Sequence, residues 1–427
     1  MRCVIVGNGV AALEAAITLR QADRGAEITV VSDESGLPFS RPALMYVFMG
    51  QLRFQDTLLY DATRLKELNL NLLQGRAIGL DTSRNCVVLD SGNELSYDQL
   101  LIATGSRPKV MWFQGHDNLF GLRNVCGFYH LRDLSKLDQL CRESRRAVIT
   151  GGGLIGIEVA EMLQSRGLTV DFVVREQDYW RSQLPAWEAR RLSQRIRRHG
   201  IQLHLGSEVA SLKKDGEKIV EVHTSGGRVL PTDLFVLSIG VEPNIAFLSG
   251  SDVRCKTGVL VDAHQRTSAP NVYAAGDCAE LQSSEGASRI EKVWYTAKAQ
   301  GKIAGLNLAG QERRYEPGLW FNSAKFFDLE YQVYGEVPVK DLPGDKHYLT
   351  DVDLGNAMWR VIERGGRIIG MSAFGIRLRH REVERVIQEG RDWPAFKNLI
   401  ESLSFDSEFS RRTYNFRETT ADEVPER

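Results

Sequence analysis

Cysteine is scarce in this 427-residue chain and poorly spaced for chemistry. Cys3, Cys86, Cys126, Cys141, Cys255 and Cys278 form no C-x-x-C pair and no metal-ligand spacing. Neither a zinc site nor a local redox dithiol is therefore expected. Cys3 sits in an apolar strand pattern and reads as a small hydrophobe. Cys278 follows Asp277 and is the one cysteine near candidate chemistry. An excess of one charge is missing too. Lys and Arg number 54 against 55 Asp and Glu, a net charge of −1, so no global basic field exists to hold nucleic acid. No apolar run approaches the roughly 18 residues of a membrane helix. The first strand pattern starts directly after Met1-Arg2, with no space for the charged and apolar regions of a secretory signal. The cytoplasm is the expected location, with no nucleic-acid partner, membrane span or metal.

Against those absences stands a composition fit for a packed core, 43% hydrophobic and 26% charged. The length suggests about three domains. Cys3-Val4-Ile5-Val6 is a short β-rich run that meets Gly7-x-Gly9-x-x-Ala12 and then a helical pattern. This is the shape of a dinucleotide turn. Gly7 permits the sharp turn, and Gly9 permits close approach of a pyrophosphate. Ala12 lets helix pack on strand, and the N–H groups of Val10, Ala11 and Ala12 are free to receive phosphate oxygens. A second copy follows the run Val148-Ile149-Thr150 as Gly151-x-Gly153-x-x-Gly156, with Leu154 and Ile155 opening its helix. Glu14 falls on Glu158 and Ala16 on Ala160. Two copies imply two dinucleotides.

After the first helix, Glu27 to Val31 reads as the second parallel strand, ending at Ser32-Asp33-Glu34. An acid there typically holds the adenosine ribose; Asp33 or Glu34 serves, and the other is a solvated loop acid. Leu37-Pro38-Phe39-Ser40-Arg41-Pro42 reads as a rigid loop leading into a helix. Leu70 to Leu73 and Cys86 to Leu89 are short strands. Leu100 to Ile102 is a buried strand that breaks at Ala103-Thr104-Gly105, where small residues let a backbone approach a flat ligand. A further strand precedes Gly276-Asp277, whose carboxylate suits a sugar-like chain. An Ala-rich helical pattern runs from Lys292 to Leu308. Beyond Pro317 the character changes to aromatic strands, a Gly365-Gly366 hairpin signal, helices from His380 to Ile387 and after Pro394, and a polar tail from Arg411 expected to fray.

These motifs, in this order, resemble the FAD-dependent pyridine nucleotide–disulfide oxidoreductases over roughly residues 1 to 310. The landmarks are Gly7-x-Gly9-x-x-Ala12, Ala103-Thr104-Gly105, Gly151-x-Gly153-x-x-Gly156, and Thr267-Ser268 through Gly276-Asp277. The resemblance implies an α/β architecture of two Rossmann-like three-layer domains and a C-terminal α+β domain. The FAD domain would be discontinuous, 1–112 and 240–316, with an inserted NAD(P)H domain, 113–239, and an interface domain, 317–427. It implies that Asp277 binds the FAD ribityl chain and that the Gly7 turn holds the pyrophosphate. Arg41 and Pro42 would also line the FAD site, with Trp294, Tyr295 and Thr296 near the flavin pyrimidine. The NAD(P)H site would comprise Gly151, Gly153, Leu154, Ile155, Gly156, Glu158 and Gly240.

Within the family, Pro38-Phe39-Ser40-Arg41-Pro42 is most similar to the branch without a redox disulfide, which includes rubredoxin and ferredoxin reductases and the flavin part of nitrite reductase large subunits. No cysteine lies between Cys3 and Cys86, so disulfide reduction is not expected. Tyr46 stands where that branch commonly carries a lysine paired with the glutamate matching Glu158. A phenol cannot form that ion pair, which leaves the flavin potential and the protonation of Glu158 open; Glu158 is either a nicotinamide-side group or a plain helix residue. Val174 occupies the position where NADH users tend to carry an acid. Arg175 and Arg181 resemble the pair that holds the 2′-phosphate in glutathione reductases, which points to NADPH; Arg181 is otherwise a surface charge.

The function implied is hydride transfer from NAD(P)H to FAD, then electron delivery to an iron–sulfur or rubredoxin-type protein, a quinone or dioxygen. The alternative is a nucleotide-sensing flavoprotein, or a reductase subunit of a larger complex, with low turnover. Homodimerisation through the C-terminal domain is implied by the resemblance. The run Trp320 to Phe327 is either that domain's core or a docking surface.

Overall fold

The computed structural model describes residues 1–111, 113, 118–282, 287–352, 357–405 and 413–420. The chain divides into two compact units. One comprises Met1–Lys109, Phe128–Asp138 and Gly240–Pro317; the other comprises Val110–Gly127, Gln139–Ile239 and Gly318–Arg427.

At the centre of the first unit is a five-stranded parallel sheet, ordered Val272–Ala274, Gln99–Ile102, Arg2–Val6, Glu27–Ser32, Leu70–Gln74. Its middle strand is buried from Cys3 to Val6. Alternation sends Cys3 and Ile5 into a core with Ala12, Ala15 and Ala304, while Val4 and Val6 enter another with Leu80, Val87 and Val259. Period-two side chains therefore serve both faces, as a covered parallel sheet requires. Helix Val10–Ala22 packs on helix Trp294–Leu308 almost backbone to backbone. A Cβ on Gly301 would lie 2.3 Å from the Ala11 carbonyl oxygen, and one on Gly305 would lie 2.5 Å from that of Ala15.

In the second unit, another five-stranded parallel sheet runs Gln202–His204, Thr169–Val173, Arg146–Thr150, Leu234–Leu237, Val125–Cys126. The same unit holds a six-stranded antiparallel sheet built from Phe321 to Thr419. One face of that sheet, with Trp359, Val361 and Met371, is covered by Val383, Val386 and Phe396. On Arg360, a buried guanidinium meets the buried Glu188 carboxylate of helix Ala186–Arg198 at 2.8 Å.

The tail departs from its expectation. Arg417–Thr419 pairs antiparallel with Asp345–Val352, extending the sheet by one strand. Tyr414 and Phe416 set their rings edge-on to Trp359 at 5.4 and 5.5 Å. Two aromatic anchors in a polar stretch outweigh its composition. Residues 411, 412 and 421–427 of that expectation lie outside the described residues. The run from Trp320 divides. Phe326 and Phe327 are buried, so the core reading holds for them, while Trp320 stays exposed.

Candidate cofactor sites

The two glycine turns are built alike. Gly7 adopts φ +114° and Gly151 φ +119°. A Cβ on Gly7 would lie 2.1 Å from the Ala103 carbonyl oxygen, and on Gly151 2.2 Å from that of Ser238. No side chain is tolerated at either place, on conformation or on space. Each turn also hangs on the neighbouring strand, through Gly7 N–H to Val31 O at 2.8 Å and Gly151 N–H to Val173 O at 3.2 Å. Gly9 and Gly153 then cap their helices in extended conformation, with no side-chain cap. A Cβ added at either glycine would meet nothing within 4 Å.

At the first turn, the earliest intrahelical donor is Leu13, to Gly9 O at 3.0 Å. The N–H groups of Val10, Ala11 and Ala12 precede it, without a carbonyl of their own helix to bond, at the positive end of the helix dipole. That is a fit for pyrophosphate. The second turn repeats it with Leu154 and Ile155. A Cβ on Gly156 would lie 2.3 Å from Gly151 O, so the third glycine closes helix on turn.

At the end of the second strand the two acids part company. Asp33 is exposed, 3.9 Å from Arg76. Glu34 is mostly buried and receives Arg41 through Nη1 at 3.1 Å and Nη2 at 2.6 Å, together with the Leu131 N–H. Burial opposes its ionisation, but the His130 ring, the Arg41 hydrogen bonds and charge, and the Leu131 N–H outweigh that and hold the carboxyl down at about 2. Arg41 also stacks over the Tyr129 ring at 4.6 Å and lies 5.4 Å from Phe39. Pro42 lies in the first turn of the short helix beginning at Arg41. Asp33 thus keeps its carboxylate at the surface, whereas Glu34 is occupied by its own chain. Nothing in the sequence announced this clamp, since Glu34 and Leu131 are 97 residues apart.

The landmarks meet at the end of the sheet. Thr104 donates to Asn244 O at 2.7 Å, and Gly105 has φ +63°. The Ser106 hydroxyl donates to Asp277 Oδ2 at 3.0 Å. Gly276, at φ +81°, donates its N–H to Gln300 Oε1 at 2.8 Å. Gln300 in turn donates to Glu291, which also accepts from the Tyr315 hydroxyl at 2.6 Å. This buried network fixes the turn that presents Asp277. Burial raises the Asp277 carboxyl from its ordinary range, partly offset by Ser106 and by the charges of Lys292 and Arg41. Ser106, Gln300 and Glu291 were missed in the sequence; the Gln300-Gly301 step, with Gly305 four residues on, was the available signal.

Trp294 and Tyr295 open the second helix, their rings edge-on at 5.4 Å, while the Thr296 hydroxyl turns back to Val293 O. Gly240, at φ +102°, accepts from Lys109 N–H at 3.0 Å and belongs to the first unit.

In the second unit, Glu158 is half-buried on the helix after the Gly151 turn. Burial, reinforced by Glu161, pushes its carboxyl up to about 7. Glu161 itself pairs with Lys325 at 2.8 Å. Arg175 is largely exposed, 3.9 Å from Glu208, while Arg181 donates to Leu184 O at 3.0 Å. The nearby Glu176 carboxylate accepts from its own loop, at Ser182 N–H. All six cysteines are free thiols, and five are buried. Burial pushes Cys3 to about 12 and Cys278 to about 11, so neither is a ready thiolate.

The family model described as pyridine nucleotide-disulphide oxidoreductase matches residues 1–301. The ferredoxin–NAD(+) reductase component of the p-cumate 2,3-dioxygenase system of Pseudomonas putida is 29% identical, over 81% of this chain and 84% of its own. The NADH oxidase of Methanocaldococcus jannaschii is 30% identical, over 77% and 75% respectively. Among solved structures, a covalent putidaredoxin reductase–putidaredoxin complex shares the fold with a TM-score of 0.81 at 22% identity, over 91% of this chain and 93% of that one. Among the described residues no helix is long and apolar enough to cross a membrane.

Proposed function

Because the chain belongs to the pyridine nucleotide–disulphide oxidoreductase family and is an oxidoreductase working through FAD and NAD(P)H, we propose that it is a reductase delivering electrons to a small iron–sulfur protein. The observation that carries the reading is the pair of matched glycine turns, each opening a helix whose cap glycine has room for a ligand and whose first N–H groups have no side-chain cap. FAD supplies the chemistry that accepts a hydride and releases single electrons. The residues supply placement. Val10, Ala11 and Ala12 hold the pyrophosphate, Asp33 the adenosine ribose, and Asp277 the ribityl hydroxyls. Gly276 and Gln300 keep Asp277 in position. Leu154 and Ile155 hold the nucleotide phosphates at the second turn. Glu158, its carboxyl raised to about 7, is protonated below neutral pH, and in that form it can donate a hydrogen bond where a carboxylate could only accept one.

The named relatives support the acceptor, since several are reductase components for ferredoxin or rhodocoxin. Free thiols without a dithiol spacing favour the same acceptor class over a disulfide. NADPH is the favoured donor, because Val174 offers no acid and Arg175 stands beside it. A three-domain division and homodimerisation through residues 317–427 complete the proposal, and sedimentation of the purified protein tests the latter. Anaerobic mixing with NADPH and with NADH, followed by a panel of ferredoxin, quinone and dioxygen, tests the whole. Yellow protein bleached by nucleotide and reoxidised fastest by ferredoxin is expected. Protein that purifies without flavin and takes none up, or that reoxidises only with dioxygen, overturns it.

A further inference from the structure

Lys292 lies two residues ahead of helix Trp294–Leu308. Its ammonium donates to the Val241 carbonyl at 2.8 Å. Val241 begins the strand Val241–Pro243, which pairs antiparallel with Ser106–Pro108, and the Ser106 hydroxyl holds Asp277. A single backbone carbonyl thus pins the lysine beside the turn that presents Asp277.

The electrostatics point the same way. Lys292 and Arg41 are the two cations that act on the Asp277 carboxyl. Partial desolvation lowers Lys292 from the ordinary lysine range, with Lys109 acting in the same sense and Asp277 and Glu242 opposing. Arg41 is already committed to Glu34. Lys292 has donors to spare: an ammonium has three, and among the described residues one is used, on Val241. Just beyond it, the helix start at Trp294 adds its own partial positive charge.

From this placement we infer that Lys292 sets the reduction potential of the bound flavin, by supplying positive charge where the ring gains negative charge. A hydride brings two electrons and one proton, so a neutral ring that accepts one gains a net negative charge while the nicotinamide leaves oxidised. A fixed cation near that charge favours the reduced form. The inference rests on the flavoprotein reading above.

The test is the midpoint potential of purified protein saturated with FAD, measured by spectroelectrochemistry. Lys292→Met is expected to cut the preference for reduced over oxidised flavin on the order of tenfold, which for a two-electron couple lowers the potential by about 30 mV. Lys292→Arg keeps the charge and is expected to keep the wild-type potential. An unchanged potential in Lys292→Met overturns the inference. So does an equal shift in both variants, because shape and not charge would then be responsible. Wild-type protein that binds no FAD takes the flavoprotein reading down as well, an outcome distinct from either.

Discussion

Replacing Glu34 by glutamine removes the charge that joins three pieces of chain while leaving the side chain's shape. In the native protein the carboxylate receives the Arg41 fork, the Leu131 N–H and the nearby His130. Its carboxyl is depressed from an ordinary 4.5 to about 2. At 1.36 kcal/mol per unit, that depression contributes about 3 kcal/mol of stability. The side chain is only 16% exposed, so solvent screening takes little away. Glutamine keeps one acceptor oxygen but presents an amide to the guanidinium, leaving a half-buried Arg41 charge without its partner. A loss of about 2–3 kcal/mol at pH 7 is expected, which for a unit of this size is about 5–10 °C in Tm.

The pH dependence gives a sharper check. A depressed carboxyl contributes its full stability above the unfolded value and loses it as pH falls through the folded one. The gap between wild type and Glu34→Gln should therefore be constant from pH 7 to about 5 and shrink steadily from there toward pH 2. Calorimetric melts at half-unit intervals over the range where both proteins fold reversibly would measure it. A gap below one degree at pH 7, or one that persists undiminished at pH 3, would refute the reasoning. FAD affinity supplies a second arm: Asp33→Ala should weaken it several-fold more than Glu34→Gln, because Glu34 is already engaged.

The remaining expectations are shorter. Gly7→Ala should abolish flavin retention and cost ~3 kcal/mol or more, since the new methyl meets Ala103 O at 2.1 Å in a φ +114° conformation; flavin absorbance after gel filtration reads this directly. Glu158→Gln should remove from the pH profile of flavin reduction an ionisation near 7 that the wild type shows, the protonated form being present below it. Stopped flow from pH 5.5 to 8.5 checks it, and an identical profile in both proteins contradicts the role. Arg175→Ala with Arg181→Ala should raise KM for NADPH about tenfold or more while leaving NADH nearly unaffected; equal changes for both nucleotides would exclude a 2′-phosphate contact.

Local pattern made much of this molecule legible. Cys3 to Val6 and Val148 to Thr150 were readable as buried strands, and the glycines after them as turns, because a few adjacent residues carry the signal. The Gly365-Gly366 hairpin was legible for the same reason. What escaped depends on pairings made at a distance. Glu34 looks like any loop acid until Leu131 and Arg41 arrive beside it. Glu291, Gln300 and Tyr315 form one buried network, yet alone each reads as a surface residue. The tail misled because its composition is polar on average, whereas two aromatic rings on Trp359 decide its fate.

The crossing of the two helices at Gly301 and Gly305 has a mechanical consequence. Where side chains separate two helices, thermal rotamer changes let them slide by fractions of an ångström. Here the Ala11 and Ala15 carbonyls leave no room for even a methyl group, so the spacing is set by van der Waals contact between the two backbones. The helix starts at Val10 and Trp294 are thus held like the jaws of a fixed calliper. On the proposed FAD placement, a cofactor reaching from one helix start to the other would meet a separation that no rotamer change at this crossing can alter.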